Sequence, residues 1–352
     1  MGLGIAIAVS GVVDDVLACA TGVEVNERMG SETTYQLRYP SDISDGDLPW
    51  LTEGKLDPGS ELSVLVPVGE KMHCLVKGPV NSQNVHFEHG GAGSTLDVTG
   101  TDTSFKMDYQ TKPVTWKDVT DSDVAQSILS SYGYTPDVDP TDSRHVEEKH
   151  ALVQRESDLR FLRRLARRNG FQFWITCDAQ SGVETAHFRR PKLDGEPEHE
   201  LAINVPAPCL DSLDFTWDME RPTAVEGTQL DLNTLEDIDG AVDTSPQASL
   251  GGTGMSAIAP ARQSLHFVTP VDDAGDLQAR GKAALAESDW FLRGNCQTSL
   301  KRLGSLVRAH TLVAIVGAGS RYSGTYFVAG VSHSIDVTGH RMGIELVRNG
   351  WG

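Results

Sequence analysis

Residues 154–175 read Gln-Arg-Glu-Ser-Asp-Leu-Arg-Phe-Leu-Arg-Arg-Leu-Ala-Arg-Arg-Asn-Gly-Phe-Gln-Phe-Trp-Ile. Leu159, Leu162, Leu165 and Ala166 recur at three- and four-residue spacing and so share one helix face, while Arg160, Arg163, Arg164, Arg167 and Arg168 fill the remainder. Ser157 or Asp158 can cap the start, Glu156 and Asp158 lie near the positive end of the dipole, and Gly170 follows arginines in the last turn. Beyond Gly170 the pattern changes at once to Phe171, Phe173 and Ile175 alternating with other residues, so the helix is expected to feed a strand through a tight connection. Periodicity alone would also suit a solvated basic helix in any α/β domain.

Outward from this stretch, 352 residues are enough for two or three domains, and 39% hydrophobic with 22% charged residues is ordinary for a folding chain. The 35 glycines and 16 prolines suit a turn-rich, mostly β protein. Formal charge is −19; residues 154–170 hold six arginines against two acids, so the rest sums to about −23. Such an acidic balance argues against specific nucleic-acid binding. Cys19, Cys74, Cys177, Cys209 and Cys296 are odd in number, widely spaced and free of Cys-x-x-Cys pairs, which predicts buried free thiols rather than a disulfide framework or zinc ribbon. The apolar start, Met1 to Val13, lacks a preceding basic residue and is too short to span a bilayer, so no membrane insertion is expected; Ala6 breaks the myristoylation pattern.

In chain order, Ile5-Ile7-Val9, Tyr35-Leu37-Tyr39, Leu62 to Val68, Met72 to Val76, Val85 to Glu88 and Leu96 to Thr99 read as short strands. Asp57-Pro58-Gly59, Val68-Gly69-Glu70 and the glycine run after His89 supply turns, and this spacing favours a small barrel or sandwich. Thr120 and Asp123 form a capping-box pattern before a short helix with Val124, Ile128 and Leu129 on one face and Gly133 as its stop. Pro136 to Asp142 reads as a loop, and Phe188-Arg189-Arg190-Pro191 leads into an acidic loop over Asp194 to Glu200. Leu213, Phe215 and Trp217 return to β alternation, 236–262 reads as a flexible loop, and 272–290 reads as a helix weakened by Gly275 and Gly281. Four closing strands are expected at Gln297 to Leu300, Leu312 to Val316, Thr325 to Ile335 and Arg341 to Val347. The fold class is therefore α+β, mostly β.

The wording of the central helix, Gln-x-Glu-Ser-Asp-x-x-Phe-Leu-x-Arg-Leu-Ala-x-x-x-Gly-Phe, resembles the signature helix of the phage late control D family. The closing segments Gly317-Ala318-Gly319, Ser323 to Val328, Val331 to Ile335 and Ile344 to Gly350 resemble the last strands of the same family, so the likeness spans about 100–350. It rests on Glu156, Ser157, Asp158, Phe161, Leu162, Leu165 and Gly170 in the helix and on Gly324, Tyr326, His333 and Arg348 near the end. His333 itself reads as a packed strand residue, because no His or Cys lies at metal-ligand spacing from it.

The resemblance implies two tail-tube-like β-barrel domains, at 1–112 and 206–352, flanking an inserted α/β subdomain at 113–205. It implies a baseplate hub of a contractile phage tail or injection system, related to the hub part of type VI secretion spike proteins. As a symmetry adaptor, a homotrimer would join a three-fold spike to the six-fold inner tail tube, beside other baseplate proteins. Because the pattern ends at Gly352, the spike is expected to be a separate polypeptide, and assembly is expected in the cytoplasm into a virion or phage-tail-like particle.

A cell-wall hydrolase or an adhesin of a tail tip is the other class, and catalytic patterns are thin. Gly275 to Lys282 is one residue too long for a phosphate loop and is followed by Ala283; His145 and His150 are spaced i,i+5; no Gly-x-Ser-x-Gly occurs. Asp237, Asp239 and Gly240 echo a calcium loop, but Leu235 and Pro246 occupy two ligand positions. His86 and His89 flank a glycine run with no nucleophile to serve. No enzyme activity, cofactor or metal is expected.

Overall fold

The computed structural model describes residues 4–41, 48, 50–89, 93–148, 151–230, 237–259, 261–267 and 274–352. Leu235, His150 and the centre of the glycine run after His89 lie outside them.

The N-terminal part is built from β1 (Ala6–Val9), β2 (Val12–Val13), β3 (Gly22–Arg28), β4 (Thr34–Pro40), β5 (Glu61–Val68), β6 (Lys71–His86) and β7 (Thr95–Thr101). Along β3 and β4 the buried Val23, Val25, Tyr35, Leu37 and Tyr39 alternate with outward residues, as a sheet with one covered face requires. Of Met72 to Val76 and Val85 to Glu88, expected as separate strands, the first and the start of the second belong to the single sixteen-residue β6, which ends at His86. This strand pairs with β5 along Lys71–Pro79 and with β7 along Val80–His86, with a register shift in each ladder, at Val64/Leu65 and at Val80/Ser82. The polar residues in its middle hid that continuity.

The middle contains β8 (Thr111–Trp116), β9 (Val119–Thr120), α1 (Asp121–Ser131), β10 (Thr135–Val138), β11 (Arg144–His145), β12 (Leu152–Ser157), α2 (Asp158–Asn169), β13 (Gln172–Cys177) and β14 (Glu184–Arg189). Both reciprocal bonds of the Thr120–Asp123 capping box form. The loop expected at Pro136 to Asp142 is displaced: β10 takes its first residues and runs parallel to β14. β8 and β12 pair over six residues, Thr111 to Trp116 against Leu152 to Ser157, and deliver the chain to α2.

β15 (His199–Ala202), β16 (Ser212–Trp217), β17 (Ala224–Leu230), β18 (Asp237–Val242), the short α3 (Met255–Ile258), β19 (Ser264–Phe267), α4 (Ala274–Ser288), β20 (Leu292–Ser299), the single-turn α5 (Leu300–Leu303), β21 (Leu312–Val316), the single-turn α6 (Gly319–Tyr322), β22 (Gly324–Asp336) and β23 (Gly339–Arg348) follow. The loop expected over 236–262 is corrected: β18 lies inside it and forms a three-stranded sheet with β17 and β19. Its glycine- and aspartate-rich composition concealed a strand held by backbone pairing. Gly281 in α4 is a contact position, since a Cβ there would lie 3.0 Å from Val242 Cγ2. β20 begins earlier than expected, at Leu292, and β15 takes the end of the acidic stretch, pairing parallel with β21.

β3 pairs with β22, so the N- and C-terminal strands form one thirteen-stranded sheet, ordered β16-β20-β23-β22-β3-β4-β7-β6-β5-β1-β2 with β21 and β15 branching from β22. The fold is mostly β. Strand pairing closes no barrel among the described residues. One apolar core accordingly takes Val25 and Leu37 together with Tyr326, Val331 and Ile344, while a second holds Met107 to Phe188 around α2. All five cysteines are free, but only Cys74 and Cys296 are buried; Cys19 is exposed and Cys177 and Cys209 are partly so, which corrects the expectation of five buried thiols.

Candidate functional site: the seams around the central helix and the closing strands

Ser157 caps α2, its Oγ accepting from the Arg160 N–H at 3.4 Å and donating to the Asp108 carboxylate. Asp158, in the first turn, is 3% exposed, yet its carboxylate accepts from Gln154 Nε2 at 2.7 Å, from the Tyr132 hydroxyl at 2.8 Å and from Lys112. Burial alone would raise its pKa; Lys112, Gln154 and Tyr132 together outweigh burial and hold it below the usual carboxylate range. Gln154 is itself buried and also accepts from Trp116 Nε1. Below this polar plug Leu159, Phe161, Leu162 and Leu165 are buried in the second core. At the far end Gly170 adopts the left-handed conformation (φ 67°), and its Cα lies so near α4 that a Cβ would sit 3.3 Å from Ala283 Cα.

The arginine face meets acids from three directions within the same chain. Glu156 accepts from Arg164 Nε at 2.6 Å, Arg160 lies 3.3 Å from Asp108, and Arg163 pairs with Glu32 of the N-terminal part at 2.8 Å. The mostly buried Arg168 pairs with Asp121 of α1 at 3.0 Å and with Asp276 of α4 at 3.4 Å. Asp121 also accepts from Asn169 and contacts His145, so α1, α2 and α4 share one charged network.

The closing strands form another centre. Arg348 is 3% exposed; its Nε donates to the Leu250 carbonyl at 3.0 Å, its Nη1 to Ser323 O at 3.3 Å, and its guanidinium lies 5.2 Å from the centre of the Tyr326 ring. Tyr326 donates to Tyr322 O at 2.8 Å. Gly324 has φ 126° and leaves room for Arg348, whose Nη2 would lie 2.9 Å from an added Cβ. Gly324→Ala is therefore expected to lose at least about 1 kcal/mol of stability in denaturant unfolding, more than an ordinary glycine replacement.

His333 is packed as expected, and it has partners that sequence spacing did not suggest. Its Nδ1 lies 3.0 Å from His340 Nε2, and its Nε2 is 3.6 Å from the buried Glu27 of β3. Glu27 lies 2.5 Å from Arg308 and accepts from the Ala309 N–H at 3.0 Å; Arg308 donates onward to the carbonyls of Cys74 and Leu75. This cluster locks β3, β6 and β22 together. Next to it Trp174 of β13 stacks on His310 with ring centres 4.0 Å apart and on His187 at 4.5 Å, while His310 Nδ1 reaches Gln172 Oε1 at 2.5 Å. Neither Glu27 nor Arg308 belongs to a local motif, so only the β3–β22 pairing reveals them.

The structure thus gathers the named helix residues around one core and the named closing residues around the large sheet, rather than at one reacting centre. An open groove of about 910 Å³ between the middle region and α4 is lined by Arg144, Asn169, Arg190, Asp194, Gln278 and Lys282 among others. Among the described residues, no group of three or more His, Cys, Asp or Glu could hold a metal ion. No helix among them is long and apolar enough to cross a membrane. Buried charges are paired across the seams between elements.

A family model described as the Alg8 N-terminal domain matches residues 37–336. The fold is similar to the 43 kDa tail protein of prophage MuSo2 from Shewanella oneidensis, at TM-score 0.71 and 15% identity over 98% of both chains. It is also similar to a tail protein from Neisseria meningitidis MC58, at TM-score 0.69 and 13% identity over 98% of this chain and 96% of that one. A third similar structure is the E. coli c3393 protein, a component of the type VI secretion system with structural similarity to the T4 bacteriophage tail proteins gp27 and gp5. There the TM-score is 0.60 and the identity 11%, over 97% of this chain and 76% of that one. A search of curated proteins finds no match.

Proposed function

The chain belongs to the Alg8 N-terminal domain family, and we propose that it is the structural baseplate hub of a contractile phage tail or injection system. The observation that carries this reading is the tail-protein fold, shared along nearly the whole length of two prophage or bacterial tail proteins. The likeness of 154–175 and 317–350 to the phage late control D family supports it as well. In this proposal three copies form a ring, and each contributes two tube-like units, 1–112 and 206–352, around the α/β subdomain at 113–205. Six similar units then face the six-fold inner tube, while the three-fold axis matches a spike protein; other baseplate proteins bind around the rim. Heterologous contacts whose rotation closes produce such rings. The hub is non-enzymatic, is assembled in the cytoplasm and resides in the particle.

Mass photometry or cryo-electron microscopy of assembled particles tests this reading. Three copies per ring are expected; six copies, or a monomer absent from the tube–spike junction, would overturn it.

A further inference from the structure

Two of the five free cysteines stand apart by their placement. Cys74 lies in β6 of the large sheet and is buried; Cys177 is the last residue of β13, beyond the central helix, and is partly exposed. Although 103 positions apart in sequence, they meet in one small apolar cluster with Ala8 and Leu65, where β13 packs across β6. The Cys177 thiol donates to the Asp178 carbonyl at 3.5 Å, and the Cys209 sulfur accepts from the Ala202 N–H at 3.1 Å.

We propose that Cys74 and Cys177 are a redox-sensitive dithiol that closes to a disulfide under an oxidised thiol–disulfide couple and staples the α/β subdomain to the large sheet. The surroundings suit that step. Lys77 stands beside the pair, bonded to Gly182 O at 3.2 Å and paired with Glu184 at 3.2 Å. Arg308 is anchored on the Cys74 carbonyl at 2.8 Å, so the β6 side of the pair is held in place. The neighbouring Cys74 thiol lowers the pKa of Cys177, with Lys77 adding to the effect and burial, Glu184 and Asp178 opposing it; Cys177 in turn, together with burial, raises the pKa of Cys74. Cys177, the more accessible and more acidic thiol, is therefore the nucleophile.

With oxidised glutathione as the oxidant, the Cys177 thiolate attacks one glutathione sulfur and expels the other as a thiolate, leaving a mixed disulfide. The Cys74 sulfur, giving its proton to solvent, then attacks Cys177 Sγ and expels the second glutathione thiolate. Two protein thiols become one disulfide, and one oxidised glutathione becomes two reduced molecules. The loop so closed is long, the case in which a cross-link most constrains the unfolded chain.

The test uses the full chain incubated with oxidised glutathione, followed by non-reducing peptide mass spectrometry and thermal unfolding. A Cys74–Cys177 linked peptide is expected, with a rise in Tm of about 5 °C that dithiothreitol reverses. Cys177→Ser, at a partly exposed position, and Cys74→Ala should each abolish both the linked peptide and the rise. Two free thiols, separate glutathione adducts, a different pairing, or a mapped linkage without a change in Tm would each overturn the proposal. None of these outcomes depends on whether the chain forms a trimeric ring.

Discussion

Replacing Glu27 by glutamine is expected to lower stability by about 3 kcal/mol, because it keeps the side chain's shape but removes the charge that answers Arg308 and faces His333. Loss of one member of a buried pair usually costs about 3–5 kcal/mol; the lower end applies here because the Arg308 side chain is 27% exposed and can recover some hydration. Burial alone would raise the Glu27 pKa, but Arg308, His333 and the Ala309 N–H outweigh burial and hold it at about 2, below its ordinary 4.5. Its contribution is therefore fully present above pH 4.5 and is lost as pH falls toward 2.

The histidines beside it titrate earlier. Burial, reinforced by His333, holds His340 at about 4, and burial holds His310 at about 3 against the opposing pull of Glu27. Between pH 6.5 and these values the unfolded chain takes up protons that the folded chain excludes, so stability falls as pH drops through that window. Unfolding curves measured from pH 7.5 to 3 should show a decline that begins near 6.5, before the carboxylates titrate. In Glu27→Gln the further decline below 4.5 should flatten. A wild-type curve level down to pH 4.5, or a variant as stable as wild type at pH 7, would mean that the cluster adds nothing to the seam.

How much of this was legible beforehand follows from whether each signal is local. The boundaries of α2 are written in neighbouring residues, Ser157 at one end and Gly170 at the other, and the capping box of α1 is too. Alternation marked β4 and β23 because each has one buried face. By contrast β18 has little apolar content and exists through its pairing with β17, and β6 passes from one partner to another through a bulge, so its pattern is interrupted. The Glu27–Arg308–His333 cluster assembles residues about three hundred positions apart, and no spacing rule could join them. The acids opposite the arginine face are likewise distant in sequence: Glu32 pairs with Arg163 and Asp276 with Arg168, and no local pattern announces either.

Leu162 is the position where a small change in α2 should propagate furthest. It is fully buried in the middle of the second core, with Phe161 and Leu165 on the same helix and with Phe173, Ala186 and Phe188 of the adjoining strands in the same cluster. Leu162→Ala removes three carbon atoms from a site walled by both helix and sheet, so the surroundings can collapse only in part, and a loss of about 2–5 kcal/mol is expected. The polar plug above it adds to the consequence: Ser157 and Asp158 hold their bonds to Asp108, Gln154 and Tyr132 only while α2 stays seated. At the other end Gly170 touches Ala283, so a shift of the helix also loosens α4. Denaturant unfolding of the full chain should show the lowered midpoint, and hydrogen exchange should show faster opening of α2, β13 and α4 together than of β22 and β23. If midpoint and exchange in those elements match wild type, α2 is a peripheral helix and the seams described around it do not carry the fold.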